Sequence, residues 1–493
     1  MTTTLLLEMM ASADGDRAAV GATTYTELLD TAQRIGAGIR ARSITTLGYL
    51  GLNGPMLPEL LFGAGAGGAA FAPLNYRLTD DQLADAFGRL APITLVADAD
   101  TAARVTGVAG VTVLERSELL SGPAVDAIGF VDPDSIAVIL LTSGTSGPPK
   151  AAMLRQQHLM NYIVTTVELA GAGPDEAILV SVPPYHIAAI SSLLSSVYSG
   201  RRIVSLSAFA PDEWVDTAAA ERVTHAMVVP TMLGRILDEI DSRGIELPAL
   251  RHLSYGGGRM PRAVVDRALR LLPRVGFVNA YGLTETSSTI ALLTPDDHRE
   301  AFASDDPGVR ARLGSVGRPL PTIELQVRDT DGHEVPGGGS GEIWVRGEQV
   351  SGEYLTHSAN DADGWYPTRD RGRLDDGGYL FLDGRADDVI VRGGENIAPG
   401  EIEDVLVEHP AVVEAAVVGL PDVEWGERIE AFVVPVIGQQ PSEADLREWV
   451  RTRLRSTRTP ERIHFRDGLP STDTGKLLRR ELRAEALRGG DEA

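Results

Sequence analysis

Lys150 and Lys476 are the only two lysines among the 45 basic residues of this 493-residue chain; all the others are arginines. An ammonium on a flexible stem is a compact point charge, whereas a guanidinium is a planar fork. A chain so biased toward arginine keeps lysine where the chemistry needs the point charge. Lys150 closes the stretch "LLTSGTSGPPK", residues 140–150, which follows an apolar run and presents Thr142, Ser143, Gly144, Thr145, Ser146 and Gly147. Hydroxyls and N–H donors on a loop whose glycines permit close backbone approach suit a phosphate. The spacing is not that of a Walker A loop, because two prolines separate Gly147 from Lys150. It is not the GxSxG turn of a serine hydrolase either.

Three further stretches carry matching chemistry. "NAYGLTETSS" places Tyr281, Thr284 and Glu285 at a strand end: an aromatic face for a base, a hydroxyl for phosphate and a carboxylate for a hard cation such as Mg2+. "WYPTRDRGRLDDGGYLFLDGRADD" sets Asp370 to accept from ribose hydroxyls and Arg385 to meet phosphate or ribose. "PSTDTGKLLRREL" brings the second lysine, Lys476, after a glycine turn.

Composition removes several alternatives. A net charge of -24 disfavours nucleic acid and anionic membrane as partners, since both reward a basic surface. With no cysteine there is no disulfide, thiolate metal site or cysteine nucleophile, in keeping with a reducing compartment. The nine histidines form no HExxH and no close pair in sequence, which gives a protein-built transition-metal site no support. Glu8 interrupts the apolar start of the chain and no basic leader precedes it, so the expectation is a cytoplasmic protein. The most apolar segment, "LPELLFGAGAGGAAFAPL", is too short to span a membrane and predicts a buried helix leading into a strand.

The elements that must position these residues are legible as periodicities. From about 135 to 280, "IAVILLT", "THAMVVP" and "LRHLSY" predict strands, while "LRQQHLMNYIVTTVELA", "TMLGRILDEIDSRG" and "VDRALRLL" predict helices. Strands alternating with such helices form parallel, helix-covered sheets. "IELQVRD" and "GEIWVRG" flank "TDGHEVPGGGS" as an antiparallel hairpin, a setting that argues against Ser340 as a carrier serine. Beyond 387, helices near "GEIEDVLVE" and "EADLREWVRTRL" and strands near "AVVEAAVVGL" and "RIEAFVVPV" predict a small α+β domain. The fold class expected is α/β: a large N-terminal domain of helix-covered sheets with a β-rich subdomain, 1–386, and a small mobile α+β C-terminal lid, 387–493.

In their order, "LLTSGTSGPPK", "YGLTET", "TRDRGRLDDGGYLFLDGRADD", "GGENIAPGEIED" and "STDTGKLLR" resemble the adenylate-forming superfamily: acyl- and aryl-CoA synthetases, luciferases and peptide-synthetase adenylation domains. The chain is most similar to a bacterial acyl-CoA synthetase. The resemblance implies ATP-dependent activation of a carboxylic acid to an acyl-adenylate, release of pyrophosphate, and transfer of the acyl group to coenzyme A, with ATP, Mg2+ and CoA as the small molecules. Loading of a carrier-protein phosphopantetheine is the alternative acceptor reaction. By the same resemblance, Gly256, Gly257 and Gly258 line the nucleotide and acyl pocket, and His186 gates the carboxylate. Tyr281 stacks on adenine, Glu285 holds Mg2+, Asp387 is the hinge, and Gly393 and Gly394 admit the thiol arm. Two stretches depart from the pattern: "AAML" after Lys150, and Gly258 with Arg259 where alanine and proline are common. The second departure sits beside the expected acyl pocket and bears on substrate choice, so the acid itself, fatty, aryl or specialised, stays open.

Overall fold

The computed structural model describes residues 2–97, 99–120, 131–142, 149–472 and 477–490. Within them the strands form four sheets. At the centre of the largest, strands Arg202–Ser205, Ala177–Val180, His225–Val228, His252–Gly256 and Gly276–Leu283 run parallel in that spatial order. Among them, Ala177–Val180 is buried along its whole length because both faces of the sheet are covered. Parallel strands discharge their following loops at one edge, which is where open α/β sheets bind ligands. That edge therefore receives the residues after Val180, Val228, Gly256 and Leu283, among them His186, Gly257, Gly258, Thr284 and Glu285.

A second sheet contains strands Thr46–Leu50, Ala70–Pro73 and Ile136–Thr142. Helices lie between it and the largest sheet. One core cluster joins Leu47, Phe71 and Val138 of the one to Ile178 and Ile203 of the other through Leu6, Met10, Ile35, Leu61, Ile190 and Leu194. The apolar residues at the chain start are thus core residues, on the helix Thr3–Asp14. The opposite face of the largest sheet is covered by helices Pro211–Ala220, Pro230–Arg243 and Arg262–Leu271, around a fully buried Trp214.

The helix expected over 154–170 is shorter, Gln156–Thr166, because its first two residues belong to a strand, Lys150–Arg155. That strand pairs antiparallel with Ile136–Thr142, bringing Thr142 opposite Lys150. The hairpin at 324–346 forms as expected, with Glu324–Arg328 antiparallel to Gly341–Arg346; Tyr366–Leu374 and Leu380–Arg385 complete its sheet.

In the small C-terminal domain, side chains along Val412–Asp422 alternate between two faces. Val417 joins Ile402 and Leu406 of the helix Pro399–Val407, together with Leu446 and Val450. Ala416 and Val418 instead join Leu482 and Ala486, with Leu477 packed against them.

His298 is fully buried and His186 and His225 are half-buried, and all three are held in the neutral form. Burial lowers His186 and His298 to about 4, and lowers His225 to about 3, with the Arg201 charge adding to the effect. The Tyr255 hydroxyl and His298 Nε2 lie 2.8 Å apart, and His298 Nδ1 is 2.8 Å from the Thr294 carbonyl. As pH falls below the ordinary histidine value near 6.5, the unfolded chain takes up protons that the native chain refuses. Stability is therefore present above about pH 6.5 and drains away below it, by about 1.4 kcal/mol per pH unit for each such histidine. Urea midpoints should fall steadily from pH 7 to pH 5, and His298→Gln should make that decline shallower. A flat midpoint across the range would contradict the neutral assignment.

Candidate active site

Two polar clusters meet at the loop edge of the largest sheet. In the first, the Tyr281 hydroxyl donates to Asp370 Oδ2 at 2.7 Å, and Arg385 Nε lies 3.1 Å from Asp370 Oδ1. Asp370 and Arg385 face each other across paired strands. The Asp370 N–H donates to the Thr368 hydroxyl (3.1 Å), and Arg385 Nη1 to the Thr368 carbonyl (2.9 Å). Between Thr368 and Asp370, Arg369 takes a left-handed φ of 62°, and the register with Leu380–Arg385 shifts between Arg371 and Gly372. A left-handed residue beside a bulge re-aims the neighbouring side chain, a distortion that collects at functional sites. Burial, and then the Asp370 charge, raise Tyr281 well above the ordinary phenol value, so it stays a donor.

In the second cluster, the Tyr354 hydroxyl donates to Glu285 Oε1 at 2.7 Å and lies 3.3 Å from the Tyr366 hydroxyl. Lys150 Nζ sits 5.1 Å from the centre of the Tyr354 ring, within cation–π range. Glu285 is buried, on the short turn Thr284–Thr286 after Gly276–Leu283, and its carbonyl accepts from the Ser351 and Gly352 N–H groups. Burial and the Glu285 charge push Tyr354 and Tyr366 up as well. Arg385 ties the clusters together: burial works against its charge, and Asp370, Tyr281 and Glu285 more than offset it. Beside Tyr354 a cavity of about 760 Å³ opens, lined in part by Arg155, Ser351 and Glu353.

On the adjoining strand ends, Gly256 lies so near the Ala280 carbonyl that a Cβ there would clash, and Gly257 has φ 79°. A Cβ at Gly257 would come within 3.9 Å of His186 Cε1, so His186 and the glycines share one wall. The Ala188 N–H donates to His186 Nδ1 at 3.2 Å, which caps the helix Ile187–Ser199. With Nδ1 accepting and the ring neutral, the His186 proton sits on Nε2.

The structure thus brings together Lys150, Glu285, Tyr281, Asp370 and Arg385, with Thr142 beside Lys150 and Thr284 beside Glu285. Ser143, Gly144, Thr145, Ser146, Gly147 and Lys476 lie outside the described residues. Asp387 is on an exposed turn between the strands Leu380–Arg385 and Ile390–Arg392, its carbonyl accepting from Arg483 at 3.1 Å. Gly393 and Gly394, with φ 57° and 78°, turn the chain inside the small sheet, Gly393 against Trp425. Tyr354, Tyr366 and Thr368 are the site residues that sequence reasoning missed. Thr368 and Tyr366 stand within the stretch that yielded Asp370, but Tyr354 reaches the site by a bridge to Ala152, some 200 residues away, and has no local signal.

The AMP-binding enzyme model matches residues 7–355, and the AMP-binding enzyme C-terminal domain model matches 401–476. The chain belongs to the AMP-binding enzyme family. Among curated members, a feruloyl-CoA synthase from Amycolatopsis sp is 34% identical over 479 residues, covering 94% of each chain. A fatty acid–[acyl-carrier-protein] ligase from Streptomyces coeruleorubidus is 33% identical, covering 93% of this chain and 91% of that one. Among solved structures of the family, the o-succinylbenzoate CoA synthetase of Bacillus subtilis, in complex with its acyl-adenylate intermediate, aligns with a TM-score of 0.85 at 27% identity over 98% of both chains. The same synthetase is also known in complex with ATP and magnesium ion. These matches bear out the adenylate-forming expectation and its arrangement of a large sheet-and-helix domain followed by a small one.

Proposed function

We propose that this family member joins a carboxylic acid to ATP and passes the acyl group to coenzyme A. A carboxylate oxygen attacks the α-phosphorus, pyrophosphate leaves, and the CoA sulfur then attacks the acyl carbon, releasing AMP as the thiol gives up its proton. The observation that carries this reading is the meeting of the Tyr281–Asp370–Arg385 and Lys150–Tyr354–Glu285 clusters at one strand edge. Attack of one anion on another needs cancelled charge and fixed geometry more than a strong base.

The roles assigned to the residues follow the family resemblance, and the contacts above support them. Tyr281 offers its ring to adenine, and Asp370, oriented by Tyr281 and Arg385, accepts from the ribose hydroxyls. Thr142, Lys150 and the intervening loop hold the β- and γ-phosphates. The Glu285 carboxylate and Thr284 hydroxyl, hard oxygen donors on one turn, fit Mg2+. Bound there, the ion would neutralise phosphate charge. His186, neutral with a proton on Nε2, offers a hydrogen bond to the acid beside Gly256, Gly257 and Gly258, and Lys476 supplies charge at the forming bond. The domain boundary falls at 386/387 with Asp387 as the hinge, and Gly393 and Gly394 lie on the thiol side.

Aryl acids lead the candidates, because relatives act on feruloyl, indoleacetate and 2-succinylbenzoate groups. The fatty acid–carrier ligase supports the carrier protein as second acceptor. No helix among the described residues is long and apolar enough to cross a membrane; dependence on ATP and CoA favours the cytoplasm. Pyrophosphate exchange across a panel of carboxylic acids selects the acid, and mass spectrometry with CoA or a carrier protein then identifies the product. Acyl-CoA is expected. Exclusive loading of the carrier, with CoA saturating, would overturn the choice of acceptor.

A further inference from the structure

Arg259 occupies the second departure from the family pattern, directly after the glycines of the acyl pocket, and the sequence expectation tied it to substrate choice. The structure sends its head group elsewhere. The guanidinium donates to the Gly400 carbonyl and to the Asp404 carboxylate, both on the small domain's helix Pro399–Val407. A Cβ at Gly400 would run into the guanidinium, so glycine there makes room for the contact. Arg259 and Asp404 keep 47% and 34% of their side-chain surfaces exposed, enough for the pair to part and re-form.

We propose that Arg259 is a positioning residue: a latch that holds the small domain in the orientation seen here and thereby favours acyl transfer over adenylation. The inference rests on the functional reading above for its chemistry, but not for its geometry. The latched helix follows closely on the turn at Gly393 and Gly394, so seating it on the loop after Gly258 draws the thiol-side segment toward the acyl pocket. Ile402 of this helix packs on one face of the small sheet, whereas Leu477, next to Lys476, packs on the other. Seating the first face on the large domain leaves the Leu477 face, on the far side of the small sheet, turned away from it. Adenylation therefore requires the Arg259 contacts to open.

The chain has no cysteine, which makes paired labelling clean. Spin labels at Arg235→Cys on the large domain and Ala444→Cys on the small one, both exposed positions, report the interdomain distance without any substrate. A dominant distance matching this structure is expected, and Arg259→Ala should broaden or shift it. With supplied acyl-adenylate and CoA, Arg259→Ala should slow thioester formation by about 5-fold, the scale of a partly exposed ion pair, while pyrophosphate exchange holds or rises. Arg259→Asp combined with Asp404→Arg should recover part of both the distance and the transfer rate. An unchanged distance in Arg259→Ala, equal losses in the two half-reactions, or no recovery in the exchanged pair would each overturn the latch. If the unsubstituted chain showed no exchange with any acid, the functional reading would fall, while the distance measurement would still judge the contact.

Discussion

Lys476→Ala should lose about 10²- to 10³-fold in pyrophosphate exchange, the usual cost of removing one preorganised charge-stabilising donor. It should still convert supplied acyl-adenylate and CoA to thioester. The reason for the asymmetry lies in the flanking residues. Ser471 bridges to Leu477, Leu477 packs against the Leu482–Ala486 cluster, and Arg479 bonds to Glu403 and to the Val417 carbonyl. The residues that flank Lys476 thus belong to the small domain, and the adenylation role proposed for Lys476 depends on how that domain is oriented. Lys150, by contrast, stands on the large domain over Tyr354, so Lys150→Ala should weaken ATP binding as well as turnover. Lys476→Arg separates point charge from net charge: a planar fork should restore exchange poorly. Near-normal exchange in the alanine variant would reject the catalytic role, and full rescue by arginine would reject the reason given for lysine at this position.

Glu285→Gln should cost a comparable factor, about 10²-fold or more in adenylation, and should raise the Mg2+ concentration needed for half-maximal exchange. Glutamine keeps the size and can still accept from Tyr354, so the fold at Thr284–Thr286 should survive. What disappears is the negative charge that acts on Arg385 and would meet the cation. Tyr354→Phe removes the hydroxyl that orients Glu285 but leaves the charge, and its loss should be smaller, on the order of 10-fold. A magnesium requirement unchanged in Glu285→Gln would place the ion elsewhere.

The difference between these variants shows what the sequence could reveal. Glu285 and Lys150 were legible because a carboxylate after a Tyr-Gly-Leu-Thr strand end and a lone lysine after a hydroxyl-rich loop have few structural reasons to be there. Tyr354 was not, because a tyrosine in "VSGEYL" is ordinary and only its bridge to Ala152 gives it meaning. The same holds for the fold. The apolar run "IAVILLT" marked the strand Ile136–Thr142, since a strand covered on both faces leaves a continuous apolar signature. Sheet membership left no such mark: Ile136–Thr142 and Ala177–Val180 look alike in sequence yet lie in different sheets. Lys150–Arg155 was hidden because alanine, methionine and leucine favour helix, and only pairing with Ile136–Thr142 makes the segment a strand. Arg259 was visible as an oddity, but its partners are 141 and 145 residues away, so its destination was beyond local reading.

The central claim is that the acid passes through an acyl-adenylate formed by carboxylate attack on the α-phosphorus. Its most direct test is isotopic: an acid accepted by the enzyme, labelled with ¹⁸O in both carboxylate oxygens, is turned over with ATP and CoA, and the nucleotide products are weighed. One labelled oxygen is expected in AMP and none in pyrophosphate. Formation of ADP, with the label in inorganic phosphate, would contradict it.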